Sequence, residues 1–341
     1  MSSKPQEMAL AKAGEETSEI ELSSANKKIE QLAKSVARLL ENEQSSNTRV
    51  SYQSYWKSWE EHCASIGARP LPADSITVAA WIADFVEKKR TISTIRVALA
   101  AIKHRHIQEG YESPTVDPLV QSTLRGAVRS HGAPKKSKKG ITLAHLRSIL
   151  SKIDRSRPTG ARDHALLALG WFAAMRRSEL CGLRWRGLDF SSDEGVNVTI
   201  ERSKTDQGGH GIIKGIPYHS EPTLCPVRAL LRWQKFATAQ GKGPDDFVFA
   251  GVDKIDRISS DPMHGGSVAK IVKSRSAAAG IDPKLVSGHS LRRGFATEAV
   301  RQGKRLEMVQ RHLAHASIAT TSGYVDEATR FGDANPARGL V

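Results

Sequence analysis

The segment SGHSLRRG at residues 287–294 places a histidine and an arginine three positions apart. His289 and Arg292 would share one face of a helix, and the Ser-Gly pair before them offers a break where that helix can begin. Such a pair suits hydrogen bonding to a phosphate. Basic helices often contain the same spacing, so the segment needs support from elsewhere in the chain.

Four other positions carry side chains suited to phosphate chemistry. They are Arg176 in AAMRRSEL, Lys204 in ERSKTD, His315 in HLAHAS and Tyr324 in TSGYVD. Two arginines can hold both non-bridging oxygens of a phosphodiester while negative charge builds on them, a need that Arg176 and Arg292 could meet. A lone arginine in such a sequence is more often a solvated helix residue. Glu179, three residues on, is equally a plain salt-bridge partner.

The composition indicates a folded, basic protein. Of 341 residues, 39% are hydrophobic and 26% charged, which is ordinary for a soluble chain long enough for two domains. The net charge of +15 favours a polyanionic partner, with nucleic acid first. Residues 1–47 hold six basic and eight acidic residues, net −2, so the remainder carries +17.

Several classes of site and location are disfavoured by the sequence. Cys63, Cys181 and Cys225 lie too far apart for a zinc or redox motif, and we expect reduced thiols. Carboxylates form no cluster that would suggest a metal site, and no cofactor motif is present. Neither a leader peptide nor an apolar run of membrane-spanning length is apparent, which predicts a cytoplasmic or nucleoid-associated protein.

The first half of the chain is predicted to be helical. Residues 1–46 read as a polar tail followed by an amphipathic helix, whose stripe packs on its own domain or on a neighbouring subunit. Residues 47–130 contain four helical segments separated by Pro and Gly turns, typical of an all-α domain. Residues 131–141, rich in lysine, glycine and proline, then read as a basic linker or a merely solvated loop.

Residues 142–341 show a mixed pattern. Helices are predicted at residues 143–153 and 161–174. Alternation then predicts a β-hairpin over residues 196–218, with Val196, Val198 and Ile200 on one arm and Ile213, Ile216 and Tyr218 on the other. After Pro222 the pattern predicts helix to the end, with breaks at residues 241–245 and 280–283. The chain as a whole is predicted to be mainly α with a small antiparallel β-sheet.

In their order and spacing, AAMRRSEL, SKT on the hairpin, GHSLRRG, LAHAS and a tyrosine nine residues after His315 resemble the signature of the tyrosine recombinases. That family includes phage integrases, Xer proteins and Cre. The resemblance covers residues 142–341, and the helical domain before the linker is similar to the family's core-binding domain. It implies two domains that clamp duplex DNA.

The resemblance also implies roles for seven residues. Arg176 and Arg292 match the family's two arginines and Glu179 the acidic residue that supports the site; Lys204, His289, His315 and Tyr324 match the hairpin lysine, the His-x-x-Arg histidine, the His/Trp position and the nucleophile. Arg177 and Arg293 double the arginines, but the spacings favour the first of each pair. Tyr324 would attack phosphorus, helped by His289, while Lys204 protonates the departing 5′ oxygen.

Eight basic residues are candidates for DNA contact: Arg96, Lys103, Arg105, Lys135, Lys136, Lys270, Lys273 and Arg275. Each is about as well explained as a solvated charge. The family implies an inverted-repeat DNA site, a dimer on each site and a tetramer in synapsis. Its C-terminal tail would pack on a neighbouring protomer or on its own chain.

Two other functions remain open from the residues. A type IB topoisomerase shares the tyrosine chemistry but relaxes supercoils, and the all-helical domain followed by a basic linker argues against it. A DNA-binding regulator could keep the fold without activity, but all seven site positions are filled. Strand exchange without ATP or metal is therefore the predicted activity.

Overall fold

A computed structural model describes residues 46–132, 138–201 and 211–329, together with five positions between residues 28 and 35. Two compact units divide the chain, Met1–Lys135 and Lys136–Val341. Most of the amphipathic helix expected before residue 46 falls outside the described residues, as do Lys135, Lys136, Lys204 and the tail after residue 329. In the described part, no helix has both the length and the apolar character needed to cross a bilayer.

Residues 46–132 of the first unit contain four α-helices, and the five described positions between residues 28 and 35 are also helical. The four helices are α1 (Ser46–Ser65), α2 (Ser75–Glu87), α3 (Ile92–Gln108) and α4 (Pro118–His131). Side-chain oxygens cap three of them: Asp74 accepts from the Thr77 amide at 2.7 Å, Thr91 from the Thr94 amide at 3.2 Å and Asp117 from the Leu119 amide at 2.8 Å. The core is aromatic, with the rings of Trp59 and Trp81 buried 5.1 Å apart. The helical pattern predicted for this part of the chain is thus confirmed for residues 46–132.

The second unit is mainly helical. Its α-helices are α5 (Leu143–Ser151), α6 (Pro158–Phe172), α7 (Arg177–Gly182), α8 (Pro226–Ala239), α9 (Gly265–Ala278), α10 (Ser290–Arg301), α11 (Leu306–Leu313) and α12 (Ile318–Thr329). Nearly every residue of α6 is buried, since it runs through the centre of the hydrophobic core. The C-terminal end of α6 therefore packs against the neighbouring elements, and the candidate site lies at this end.

Two antiparallel sheets accompany these helices. Strands β1 (Leu188–Asp189), β2 (Gly195–Ile200) and β3 (Ile212–Pro217) form one sheet in the order β1-β2-β3. The β2–β3 register pairs Ile200 with Ile212, which confirms the predicted hairpin. Strands β4 (Ala250–Val252) and β5 (Ile258–Pro262) form the second sheet.

Two details of the sequence prediction were wrong. Between the predicted breaks at residues 241–245 and 280–283, where only helix was expected, the chain forms β4 and β5, whose three and five residues are too short to show a period-two pattern. On β3, Ile213 is 71% exposed, whereas Lys214 is 5% exposed and shares the inner face with Ile216. Successive residues of a strand point to opposite faces, so the inner face of β3 contains a lysine.

Candidate active site

The turn after α6 positions the first predicted arginine. Ala174 adopts a left-handed conformation with φ of 49°, which ends α6 and reverses the chain direction. Arg176 then caps α7. Its amide donates to Glu179 Oε2 at 2.7 Å, and its Nη1 donates to Glu179 Oε1 at the same distance. Both oxygens of a buried carboxylate thus hold Arg176, and the predicted pairing of these two residues is present.

Arg292 lies on α10 and is buried, with 3% of its surface exposed. Its Nη1 donates to the Ala174 carbonyl at 2.7 Å, and its Nη2 donates to the Leu313 carbonyl. Burial, with the nearby Arg176 charge, lowers the pKa of Arg292 to about 10, while Glu179 and Tyr324 act in the opposite direction. The guanidinium is therefore held by the C-terminal ends of α6 and α11.

The end of α11 supplies the next group. Ala314 is left-handed, with φ of 50°, and its carbonyl accepts from Arg176 Nη2 at 3.3 Å. His315 follows, and its Nδ1 is hydrogen-bonded to Thr321 Oγ1 at 2.8 Å. Burial, helped by Arg292, Arg176 and Lys214, lowers the pKa of His315 to about 4. The ring is accordingly neutral near pH 7.

Tyr324 lies on α12 in the same unit as the arginines. Its ring is nearly parallel to that of His315, at 13° with centroids 6.2 Å apart. The tyrosine packs against a small buried cluster of Ala174, Ala296, Val309 and Leu313. Tyr324, His315, Arg176 and Arg292 thus converge within one chain, a point that sequence order leaves open.

Lys214 joins the same group and was not predicted. Its Nζ donates to the Ala173 carbonyl at 2.7 Å. Burial lowers the pKa of Lys214 to about 8; Glu179 opposes this shift, whereas Arg292 and Arg176 add to it. The sequence does contain a signal for the burial of Lys214. Ile212, Lys214 and Ile216 are spaced two residues apart, which places all three on one face of a strand.

His312 is a second group that the sequence did not reveal. Its Nε2 donates to the Phe172 carbonyl at 2.8 Å, and its ring stacks on Phe295 at 4.6 Å. Burial, with Lys214 and Arg292 adding, lowers the pKa of His312 to about 4. This residue fastens α11 to the last turn of α6.

The other predicted catalytic residues are placed as follows. His289 is exposed at the N-terminus of α10. Arg177, the neighbour of Arg176, lies against Gly288, where an added Cβ would meet Arg177 Cδ at 2.2 Å. Lys204 lies outside the described residues and falls between β2 and β3 in the sequence.

Six of the eight predicted DNA-contacting residues lie on two helices in different units, and Lys135 and Lys136 lie outside the described residues. Arg96, Lys103 and Arg105 are exposed on α3, where Arg105 pairs with Glu109 at 2.9 Å. Lys270 and Lys273 are exposed on α9. Arg275 is instead 28% exposed and pairs with the buried carboxylate of Asp163 at 2.6 Å, which fastens α9 to α6.

The charges of the cluster indicate its ligand. The cluster combines three cationic side chains that repel one another, those of Arg176, Arg292 and Lys214. The Glu179 carboxylate attracts them. Positive charge therefore exceeds negative charge among these four side chains, which favours binding of an anion such as a phosphodiester. The described residues contain no group of three or more His, Cys, Asp or Glu side chains arranged to hold a metal ion.

Known proteins resemble this chain over most of its length. The sequence profile of the phage integrase family matches residues 139–330. An integrase/recombinase XerD homolog of Selenomonas ruminantium is 31% identical over 307 residues, which cover 89% of this chain and 88% of that protein. Tyrosine recombinase XerD of Proteus mirabilis is 26% identical over 309 residues, covering 85% and 92%.

A solved structure shares the fold. Lambda integrase residues 75–356, determined as a dimer bound to a COC′ core site, aligns with a TM-score of 0.59 and 18% identity. The alignment covers 89% of this chain and 96% of that one.

Proposed function

This chain belongs to the phage integrase family, and we propose that it is a site-specific tyrosine recombinase that cuts and rejoins DNA through a covalent bond between Tyr324 and a backbone phosphate. The observation that carries this proposal is the convergence of Arg176, Arg292 and His315 with Tyr324 in one chain. Two arginines and a neutral histidine next to a phenol suit in-line displacement at phosphorus.

In the proposed first step, Tyr324 Oη bonds to phosphorus while the bond from phosphorus to the 5′ oxygen breaks. The phenol must lose its proton during attack, and His289 remains the predicted acceptor. Lys204 is the predicted donor to the departing 5′ oxygen. Attack by a 5′ hydroxyl on the phosphotyrosine reverses the step. One phosphate ester replaces another each time, so the bond energy is retained and ATP is not consumed.

The arginines supply electrostatic stabilisation. Arg176 and Arg292 are already held by carbonyl groups and by Glu179, so little reorganisation is needed when charge builds on the phosphate oxygens. His315 contributes one N–H as a neutral ring, since its pKa is about 4. These groups can supply the stabilisation of transition-state charge that a metal ion supplies in other phosphoryl-transfer sites.

We also propose the wider arrangement on DNA. Residues 47–130 would form the core-binding domain and residues 142–341 the catalytic domain, joined by the basic linker at residues 131–141. The exposed lysines and arginines of α3 and α9, with Lys135 and Lys136, would contact phosphates and a few base edges of an inverted-repeat site. A dimer would occupy each site and a tetramer the synapse, in the compartment that holds the DNA.

The test is covalent trapping. DNA bound covalently to the protein in cells is sequenced to find its site, and a duplex with that site and a nick beside the cleavage position is then synthesised. The short 5′ product diffuses away, so the phosphotyrosyl adduct accumulates. We expect the wild-type protein to form this adduct and Tyr324→Phe to form none while binding the DNA equally well.

Tyr111→Phe is the matched control, because Tyr111 is an exposed tyrosine of the first unit and should form the adduct at the wild-type rate. Equal adduct levels for wild type and Tyr324→Phe would mean that Tyr324 is not the nucleophile. Relaxation of supercoiled plasmid by a monomer, without any recombinant product, would instead favour a topoisomerase.

A further inference from the structure

Lys214 is a buried cation within the site, and the sequence motifs give it no role. It lies on the inner face of β3, on the strand that returns from the hairpin carrying Lys204. We propose that Lys214 is a positioning residue for DNA cleavage: its ammonium group holds the Ala173 carbonyl and thereby fixes the turn that places both arginines. The inference rests on the proposed recombinase function.

Three positions of the segment 173–176 make the contacts that hold the turn. Ala173 O accepts from Lys214 Nζ at 2.7 Å, and the next carbonyl, Ala174 O, accepts from Arg292 Nη1 at 2.7 Å. Two residues further on, the Arg176 amide is held by Glu179. The left-handed conformation of Ala174 turns the chain between these contacts. A shift of Ala173 would therefore be passed to both guanidinium groups.

The identity of the side chain supports a functional role. An apolar residue would fill a strand position beside Ile216 at less cost, because an ammonium group loses its hydration there. The charge of Lys214 is balanced by the Ala173 carbonyl and by Glu179, and it faces Arg176, Arg292, His312 and His315 across the site. A bound phosphodiester would add negative charge to this group and favour the ammonium form.

Changing the leaving atom from oxygen to sulfur distinguishes a residue that positions the site from a residue that donates the proton. A 5′-bridging sulfur leaves as a weakly basic thiolate and needs no proton, so it restores cleavage to a variant that lacks the general acid. It cannot restore cleavage to a variant with misplaced arginines. Lys204→Met serves as the comparison, because Lys204 is the predicted acid.

The experiment measures single-turnover adduct formation by Lys214→Met on matched oxygen and sulfur substrates. We expect cleavage to fall about 100-fold on both, since a displacement of about 1 Å at a reacting group can cost that much. Lys204→Met should be slow on oxygen and close to wild type on sulfur. Lys235→Met, which removes an exposed lysine of the same unit, should match wild type on both.

Thermal unfolding and DNA affinity are measured in parallel, and Lys214→Arg provides a second variant. Lys214→Arg keeps a charged donor, so we expect it to cleave at least tenfold faster than Lys214→Met. If Lys214→Met does not fold, any loss of cleavage rate in Lys214→Arg must also be seen on the sulfur substrate. Rescue of either variant by sulfur would make Lys214 the acid and overturn the proposal. So would wild-type cleavage by Lys214→Met. Absence of an adduct with the wild-type protein would instead reject the recombinase function.

Discussion

Replacing Glu179 by glutamine tests how the site holds its first arginine. Glu179 has a side chain only 2% exposed, and each of its oxygens accepts one hydrogen bond from Arg176 at 2.7 Å. The glutamine side chain has the same shape but only one acceptor oxygen. One of the two contacts must be lost, and an amide N–H must face another donor.

The size of the effect follows from those contacts. Leaving one buried partner unsatisfied costs about 1 to 3 kcal/mol. If the whole cost falls on the placement of Arg176 in the transition state, cleavage slows by about 5- to 160-fold, at 1.36 kcal/mol for each factor of ten. DNA affinity should change little, because we expect most of it to come from the many phosphate contacts proposed above and not from Arg176 alone.

The assay is single-turnover adduct formation on the nicked duplex, with thermal unfolding of the same samples. Glu221→Gln is the matched control, because Glu221 also pairs with an arginine, Arg147, at 3.0 Å, but the two side chains are 39% and 52% exposed. An exposed pair contributes about 0 to 1 kcal/mol and lies outside the site. If Glu179→Gln cleaves as fast as wild type and Glu221→Gln, the buried pair does not position Arg176.

Two further predictions concern the histidines of α11 and the segment after it. Thr321→Val removes the hydroxyl bonded to His315 Nδ1, so the ring loses its orientation and adduct formation should fall about tenfold with unchanged DNA binding, as measured on the nicked duplex. The pKa of His312 is lowered from 6.5 to about 4 in the folded protein. As pH falls, this histidine is therefore protonated in the unfolded chain before it is protonated in the folded protein. The free energy of unfolding should therefore drop between pH 6.5 and 4, by up to about 3 kcal/mol from this residue, in urea titrations.

Each of these has a clear control. Ser322→Ala alters an exposed hydroxyl on the same helix and should leave cleavage unchanged; equal rates for Thr321→Val would show that the hydroxyl does not orient the ring. His312→Gln removes the titrating group, so its unfolding free energy should vary less between pH 8 and pH 5 than that of the wild type. An unchanged dependence on pH would contradict the assignment to His312.

The two left-handed alanines explain how the site tolerates clustered cations. Ala174 ends α6 and Ala314 ends α11, and the carbonyl groups at these helix ends carry partial negative charge. Ala173 O, Ala174 O and Ala314 O accept from Lys214, Arg292 and Arg176 in turn. Main-chain carbonyl groups, together with Glu179, therefore offset part of this positive charge before any phosphate is bound.

Much of the fold was predictable because local patterns decide it. The helix predicted at residues 143–153 runs over Leu143–Ser151, and the helix predicted at residues 161–174 runs over Pro158–Phe172. Apolar spacing and Pro punctuation are properties of the sequence itself. The β4–β5 pair escaped notice because three residues of strand leave too little pattern to separate them from a helix.

The sequence by itself determined the chemical inventory of this protein: two arginines, a glutamate, a lysine, two histidines and a tyrosine, in an order that matches one family. Only the tertiary structure decided which groups meet. It brought Tyr324 beside His315 within one chain and added Lys214 to the cluster. The physical reason is that main-chain carbonyl groups, which every residue carries and no sequence pattern distinguishes, join distant parts of the chain at this site. Arg292 donates to Ala174 O, 118 positions away, and Arg176 to Ala314 O, 138 positions away.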